Sequence, residues 1–437
     1  MNKKVPVVTV AAREEAAELE GLPEEVTVVL ADVAGAIRDG LLAFASATGL
    51  LVMGQMMEAE LTERIGPKHA KMGDERQGNW HGTTRGPVVL GGRLVTVDRP
   101  RARTTEGEEI KLQSWKAFSS QDLLNSLVVE RMLAGVATRR HQEVAEPVGA
   151  QIEERSRSTS KSAVSRRFVA ATEKALSDLL ARDLSELDVA VIMIDGKEVA
   201  GQCVVVALVI TTDGHKVPVG LWLGDTENKT VVTSLLADLV ERGLDFSAGV
   251  LCVIDGAKAL AAGIRKVFGD QARVQRCTLH KRRNVTGHLP KELGDTIDKR
   301  LAVIFAQPEA DKGLDAARRL ANELQADHPD AAASLREGLE EMFTARRLGV
   351  TPKLAKNLTN TNCIESMISV AERTTRRVTR WKDGSMKKRW IALGMLEAER
   401  SFRRIKGYKD MSAFIEALRR EVTPPVESPS EYAHEAA

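Results

Sequence analysis

Asp195 and Asp255 each close an unbroken apolar run, Val191-Ile192-Met193-Ile194 before the first and Leu251-Cys252-Val253-Ile254 before the second. Short apolar runs of this kind, bounded by turn residues, read as buried strands. If the two strands are parallel neighbours, both carboxylates leave the same edge of the sheet, where ligand chemistry collects. Two carboxylates held close together repel, and one takes up a proton unless a cation neutralises them. A hard divalent ion such as Mg²⁺ or Mn²⁺ suits oxygen ligands. Asp-Gly is also a common turn, and the pairs at 213 and 383 read as ordinary turns. Position at the end of a buried run is what sets 195 and 255 apart. A site that grips attacking and leaving oxygens with two ions about 4 Å apart needs a third acid. Glu365 is the candidate, in Asn362-Cys363-Ile364-Glu365-Ser366 at the start of an otherwise basic helix. Its bland alternative is a salt-bridge partner for those cations.

The elements that must position these acids lie mostly in residues 186–288. Apolar runs predict strands over Val189–Ile194, Val199–Thr211, Lys216–Leu223, Val250–Ile254 and Ala272–Gln275. Helical spacing predicts Thr230–Arg242, Ala257–Phe268 and a helix start at Lys281–His288. Asp213-Gly214 supplies a hairpin turn. Three hairpin-linked strands followed by helical crossovers to parallel strands are the ribonuclease H-like order. Residues 289–360 show helical patterns only and suggest an all-α insertion, and long helices resume at Thr361.

Ahead of this lies a mostly helical region. Ala31–Ala43 and Met53–Ile65 have helical spacing, and the apolar stretch Leu41–Gly54 reads as a buried helix too short to span a bilayer. Residues 76–105 carry a hairpin signal, with β-prone runs at Val88–Leu90 and Leu94–Val97 and a basic run of Arg93, Arg99, Arg101 and Arg103. That run fits a solvated face or phosphate contact. Asp122–Ala137, Arg139–Gly149 and Lys161–Ala181 give a helix-turn-helix outline whose last helix begins with the small and basic residues Ser162, Ser165, Arg166 and Arg167.

The 437 residues carry 63 Lys+Arg against 61 Asp+Glu, a net charge of +2. A uniform basic coat is excluded, so any nucleic-acid surface must be local. Residues 1–60 hold four cations and ten acids, whereas residues 361–410 hold thirteen cations and six acids. Four cysteines, none in a Cys-x-x-Cys pair, make a disulfide framework untenable and the cytoplasm the expected compartment. The tail from Thr423, rich in Pro and Ser, reads as disordered. No Gly-rich phosphate loop follows any strand.

Four segments together resemble the Mutator-type transposases of bacterial insertion sequences. They are Ile194-Asp195-Gly196-Lys197, Ile254-Asp255-Gly256-Ala257-Lys258, Gln275-Arg276-Cys277-Thr278-Leu279-His280-Lys281-Arg282-Arg283-Asn284 and Asn362-Cys363-Ile364-Glu365-Ser366. The resemblance is good over 186–410 and weaker over 76–185. It implies an α/β fold with a ribonuclease H-like core on a mixed five-stranded sheet, an all-α insertion and a preceding DNA-binding region. The implied organisation is 1–75 helical, 76–185 hairpin plus helix-turn-helix, 186–288 core, 289–360 insertion, 361–412 final core helices and 413–437 helix end and tail.

The resemblance further implies that Asp195, Asp255 and Glu365 are a DDE triad holding two Mg²⁺ ions, with Mn²⁺ as a substitute. His280 would lie near the metal or the scissile phosphate. Cys277 and His280 match the family's Cys-x-x-His pair, which is only half a tetrahedral zinc set, and local packing is the favoured reading. Lys161, Arg166, Arg167, Lys258, Arg276, Lys281, Arg282, Arg283, Asn284, Arg373, Arg376 and Arg377 are the expected DNA contacts, a solvated basic face being the alternative. Trp381 is a candidate for base stacking, while Trp390 keeps core spacing with Leu393 and Leu396. The implied partners are double-stranded DNA (terminal inverted repeats and target) and a second copy of the chain, with no membrane and a nucleoid-associated, cytoplasmic location. Two other readings remain at this point: a catalytically silent DNA-binding descendant of a transposase, and another ribonuclease H-like nuclease.

Overall fold

The structure is a computed structural model, and it describes residues 40–69, 77–90, 92–120, 122–141, 143–144, 148, 150–157, 160–376 and 378–422. The expectations for 1–39, for the tail from 423 and for Arg377 lie outside the described residues. The chain divides into two compact units, Met1–Ala171 and Thr172–Ala437.

In the first unit, α1 (Leu41–Ile65) packs on a hairpin of β1 (Gly78–Leu90) and β2 (Arg93–Thr104). Met57, Leu61 and Ile65, four residues apart, share one helical face and bury against Ala102 and Leu112. Glu60, on the same helix, accepts the backbone N–H groups of Gln113 (2.8 Å) and Ser114 (3.0 Å), two of the orphan donors at the start of α2 (Gln113–Ser119). The expected hairpin is present but longer than its apolar runs, because the ladder continues through polar residues from Leu90↔Arg93 to Gly78↔Thr104. The expectation that Leu41–Gly54 is buried is corrected: Leu41 is 80% exposed, and Leu51 and Val52 are also exposed. Only one side of this helix, through Ala47, Leu50 and Met53, meets the hairpin core.

α3 (Asp122–Leu133), α4 (Ala150–Arg155) and α5 (Lys161–Leu180) follow, with a two-residue β3 (Ser156–Arg157) pairing to β2. The helix expected over Arg139–Gly149 is absent from its described residues, which form turns except for Val148, in no regular element. Pro147 and Gly149 in the sequence oppose a helix there. The hairpin arginines mostly face internal acids: Arg93 is buried and pairs with Glu153 at 2.9 Å, and Arg99 and Arg101 both pair with Glu109.

The second unit is built on a five-stranded mixed sheet, as expected, and its strands lie in the order β6-β5-β4-β7-β8. Its strands are β4 (Val189–Val199), β5 (Gln202–Thr211), β6 (Lys216–Gly224), β7 (Val250–Ile254) and β8 (Ala272–Arg276). The first three form antiparallel hairpins, whereas β4–β7 and β7–β8 are parallel. The crossovers are α6 (Lys229–Glu241) and α7 (Lys258–Phe268), which cover one face. α8 (Thr278–Thr286) leaves β8 directly.

Helices α9 (Lys291–Ala306), α10 (Ala310–Leu324), α11 (Pro329–Arg336) and α12 (Thr344–Arg347) come next. The first three share an all-helical core of Ile297, Leu301, Leu314, Leu320, Leu335 and their neighbours, with Phe343 just before α12. The chain then returns through α13 (Pro352–Leu358) to α14 (Asn362–Thr375), α15 (Gly384–Ser401) and α16 (Met411–Val422), which cover the other face of the sheet. The unit is therefore a three-layer α/β arrangement with a separate helical body. No described helix is long and apolar enough to cross a membrane.

Candidate active site

Strand pairing brings the first two acids together. On the parallel β4–β7 ladder, Val191 lies opposite Leu251 and Met193 opposite Val253. The same sixty-residue offset makes Asp195 level with Asp255. Side chains alternate along a strand. Val191, Met193, Leu251 and Val253 face the core shared with α14, while Ile192, Ile194, Cys252 and Ile254 face α6 and α7. Asp195 and Asp255 continue the first set, so the alternation directs them toward the α14 side. Glu365 stands in the first turn of α14. Three acids far apart in sequence thus converge at one sheet edge.

One detail differs from the sequence reading. Asp195 does not end its strand, because β4 runs on to Val199 while paired with β5. Only the ladder to β7 stops at Met193. The apolar run stops where burial on the β7 side stops; the hairpin hydrogen bonds continue regardless. Asp255 does follow its strand directly. Its Oδ1 accepts the N–H of Ala257 at 2.8 Å, closing a turn in which Gly256 has φ +110°, a conformation suited to glycine. The other two Asp-Gly pairs behave as ordinary turns. Asp213 accepts the Thr211 hydroxyl at the β5–β6 hairpin, and Asp383 caps α15 by accepting the N–H of Met386.

The charges conflict. Burial, and next to it the Asp255 carboxylate, push the Asp195 carboxyl up to about 7; Glu365 and Glu227 add to the rise and His280 opposes it. Glu227 is the residue that sequence reading missed. It precedes the α6 cap residue Asn228, and its carboxylate lies against the backbone of Gly196: a Cβ at 196 would collide with Glu227 Oε2. Gly196 is therefore needed for room, whereas Gly256 is needed for its dihedral. Burial and Asp255 raise the Glu227 carboxyl as well. Among the described residues neither Asp195 nor Glu227 forms an ion pair; His280 and Lys197 act on Asp195 only from a distance, and Lys197 pairs with Glu372. The available signal was an acid just ahead of a helix start, too common to single out.

A second cluster backs Glu365. The Thr361 hydroxyl donates to Glu365 Oε1 and lies 3.3 Å from Cys277 Sγ and 3.4 Å from His280 Nδ1. His280 Nδ1 is 3.8 Å from Glu365 Oε1. Ligand-capable atoms of Cys277, His280 and Glu365 lie within 4.8 Å of one another. The contact with Cys277 is the main influence raising the His280 ring above its ordinary range. Burial raises the Cys277 thiol, and hydrogen bonds from His280 and Thr361 more than reverse this.

Comparison with known proteins matches residues 27–404 to the family model described as transposase, Mutator family. This chain belongs to that family. The resemblance read from the four motifs is borne out. Its relatives include the transposase of insertion sequence IS256 in transposon Tn4001 of Staphylococcus aureus, 26% identical over 326 residues, covering 72% of this chain and 80% of that protein. The ISRM5 transposase of Rhizobium meliloti is 26% identical over 337 residues, 74% of this chain and 80% of that protein. The IST2 transposase of Acidithiobacillus ferrooxidans is 30% identical over 178 residues, 40% of this chain and 58% of that protein.

The basic residues of this Mutator-family chain sort by exposure. Lys161, Arg166, Lys258, Arg283, Asn284, Arg373 and Arg376 are exposed. Arg167 is half-buried and donates to Asn125 at 3.3 Å. Lys281 corrects the sequence reading. It is 3% exposed, and its ammonium donates to the carbonyls of Ser334 (2.7 Å) and Glu337 (2.8 Å) at the end of α11. It cannot reach a phosphate from there. Arg276 pairs with Glu341 and Glu337, and Arg282 with Asp298, so both are already neutralised within the protein. The reason lies in the helical body, whose acids meet the inner side of α8 and leave only its outer side free. Trp390 is buried, as its spacing predicts, and Trp381 is half-buried.

Proposed function

We propose that this protein is the DNA transposase of an insertion sequence, with Asp195, Asp255 and Glu365 as a DDE triad around two Mg²⁺ ions. The observation that carries this reading is the level placement of Asp195 and Asp255 beside the helix that bears Glu365. The donor set fits a hard divalent cation: all three are oxygen ligands, and the carboxyl of Asp195 stays raised by its acidic neighbours despite the opposing His280. Mn²⁺ fits the same set. The strand order, with a separate helical body before α14, supports a ribonuclease H-like core with an all-α insertion.

Bound metal would supply Lewis-acid stabilisation of the attacking and leaving oxygens in an in-line displacement at a phosphodiester. The protein's own groups do the rest. Asp195 and Asp255 fix one edge of the site from the rigid sheet, and Glu365 closes it from α14. His280, beside Glu365, is the group placed to hold a proton next to the reacting phosphate. The exposed Lys258, Arg283, Asn284, Arg373 and Arg376 would hold the DNA backbone, with Lys161 and Arg166 contributing from α5. Nicking at a terminal inverted repeat leaves a 3′-hydroxyl, which then attacks target DNA. Two ends must be brought together, so the working form is a dimer or larger, acting on the nucleoid in the cytoplasm.

The test is cleavage of a duplex carrying the element's terminal repeat. Asp195→Ala, Asp255→Ala and Glu365→Ala each abolish Mg²⁺-dependent nicking while gel-shift binding stays within a few-fold of wild type. Cleavage retained by any one of them removes that residue from the triad.

A further inference from the structure

The Cys-x-x-His pair and the third acid are joined through one side chain. Thr361 is fully buried, and its hydroxyl lies among Glu365 Oε1, Cys277 Sγ and His280 Nδ1. A hydroxyl has one proton to give and two lone pairs to receive. Its nearest acceptor is Glu365, so the proton goes there. The Cys277 sulfur, at 3.3 Å, is a second and more distant acceptor for the same hydroxyl, and the His280 ring nitrogen borders it at 3.4 Å.

The backbone repeats the connection. Cys277 N–H donates to Ile254 O at 2.7 Å, one residue before Asp255. The next residue, Thr278, donates both its N–H (2.9 Å) and its hydroxyl (3.0 Å) to Thr359 O, two residues before Thr361. A hydrogen-bonded path therefore runs from the end of β7, through the start of α8, to the start of α14. It links the sheet that holds two of the acids to the helix that holds the third.

We infer that Thr361 is a positioning residue that aims the Glu365 carboxylate, and that Cys277 and His280 form the seat for its hydroxyl rather than a zinc half-site. The inference rests on the triad reading above. It accounts for a cysteine and a histidine three residues apart: with Cys277 as the cap residue of α8 and His280 in its first turn, that spacing puts sulfur and ring nitrogen on the same side, with Thr361 between them and the carboxylate.

The test compares Thr361→Val, which keeps the shape and removes the hydroxyl, with Thr361→Ser, which restores it. Supporting groups of this kind change metal affinity or activity by about 10- to 100-fold. In Thr361→Val, Mn²⁺ binding to the DNA-free protein, measured by calorimetry, weakens by about tenfold. Nicking slows by about 100-fold, and gel-shift affinity for DNA is unchanged. Thr361→Ser recovers most of both losses. A purely structural role would instead lower the urea midpoint of Thr361→Val without a selective loss of Mn²⁺ affinity, and that result overturns the inference. So does Thr361→Val with wild-type Mn²⁺ affinity and nicking. If Thr361→Val does not fold, Cys277→Ala removes one wall of the seat and must still weaken Mn²⁺ binding; wild-type affinity there also overturns it. Asp255→Asn runs alongside. Loss of Mn²⁺ binding in Asp255→Asn but not in Thr361→Val sinks this inference alone, whereas retention in both sinks the triad reading itself.

Discussion

Met193 on β4 pairs with Val253 on the parallel strand β7, and two residues further along the chain from each stand Asp195 and Asp255. The spacing of the two acids in the chain equals the offset of the ladder. Their encounter is therefore a property of sheet register, since a one-residue slip of either strand would turn one acid to the opposite face of the sheet.

The first consequence is an unusual pH dependence without metal. Asp195 has a folded-state pKa of about 7 against an ordinary value of 3.8. The folded protein thus holds a proton that the unfolded chain releases, and this contribution to stability is full below pH 4 and lost as pH rises through 7. In EDTA, Asp195→Asn is expected to be more stable than wild type at pH 8, with the gap closing towards pH 4. Urea denaturation of both proteins across that range checks it; a constant difference would refute it.

Gly196 and Glu227 give a second prediction. Gly196→Ala drives a methyl group into the Glu227 carboxylate and should cost about 1–3 kcal/mol, the usual penalty of overpacking. In a Glu227→Ala background the same substitution should cost much less, because the obstacle is gone. A double-mutant cycle by chemical denaturation reads the coupling directly. Additive costs would mean that the carboxylate can move aside freely.

Lys281 and Arg283, two positions apart in sequence, should separate cleanly. Lys281→Met leaves the α11 carbonyls without their donor and should lose about 1.5–3 kcal/mol of stability, with DNA affinity unaltered in the folded fraction. Arg283→Ala is expected to leave the melting temperature nearly unchanged, to weaken DNA binding, and to reduce the slope of log affinity against log salt by about one. Fluorescence anisotropy across a salt series distinguishes the two.

The core of this fold was legible because its signals are local. Apolar runs marked the five strands, and their ends marked Asp195 and Asp255. Glu365 came from a motif, since nothing in the spacing of a helical acid tells which sheet edge it will meet. Three things were hidden for related reasons. The fate of Lys281, Arg276 and Arg282 depends on acids and carbonyls up to 65 residues later in the chain. Glu227 is visible only once Gly196 is placed beside it. The exposed face of α1 follows from how little of an apolar helix the hairpin covers. Composition shows which side chains prefer burial, while the partners that decide the matter arrive from elsewhere.

Thr278 and Thr359 touch, and everything between them starts and finishes at that point. The eighty-odd residues of the loop form a closed excursion. Beyond α8, which carries His280, its helices can lengthen, shrink or acquire a new surface without shifting the chain's point of return. Evolution can therefore rework this appendage for new DNA or protein neighbours while the chemistry beside it keeps its alignment.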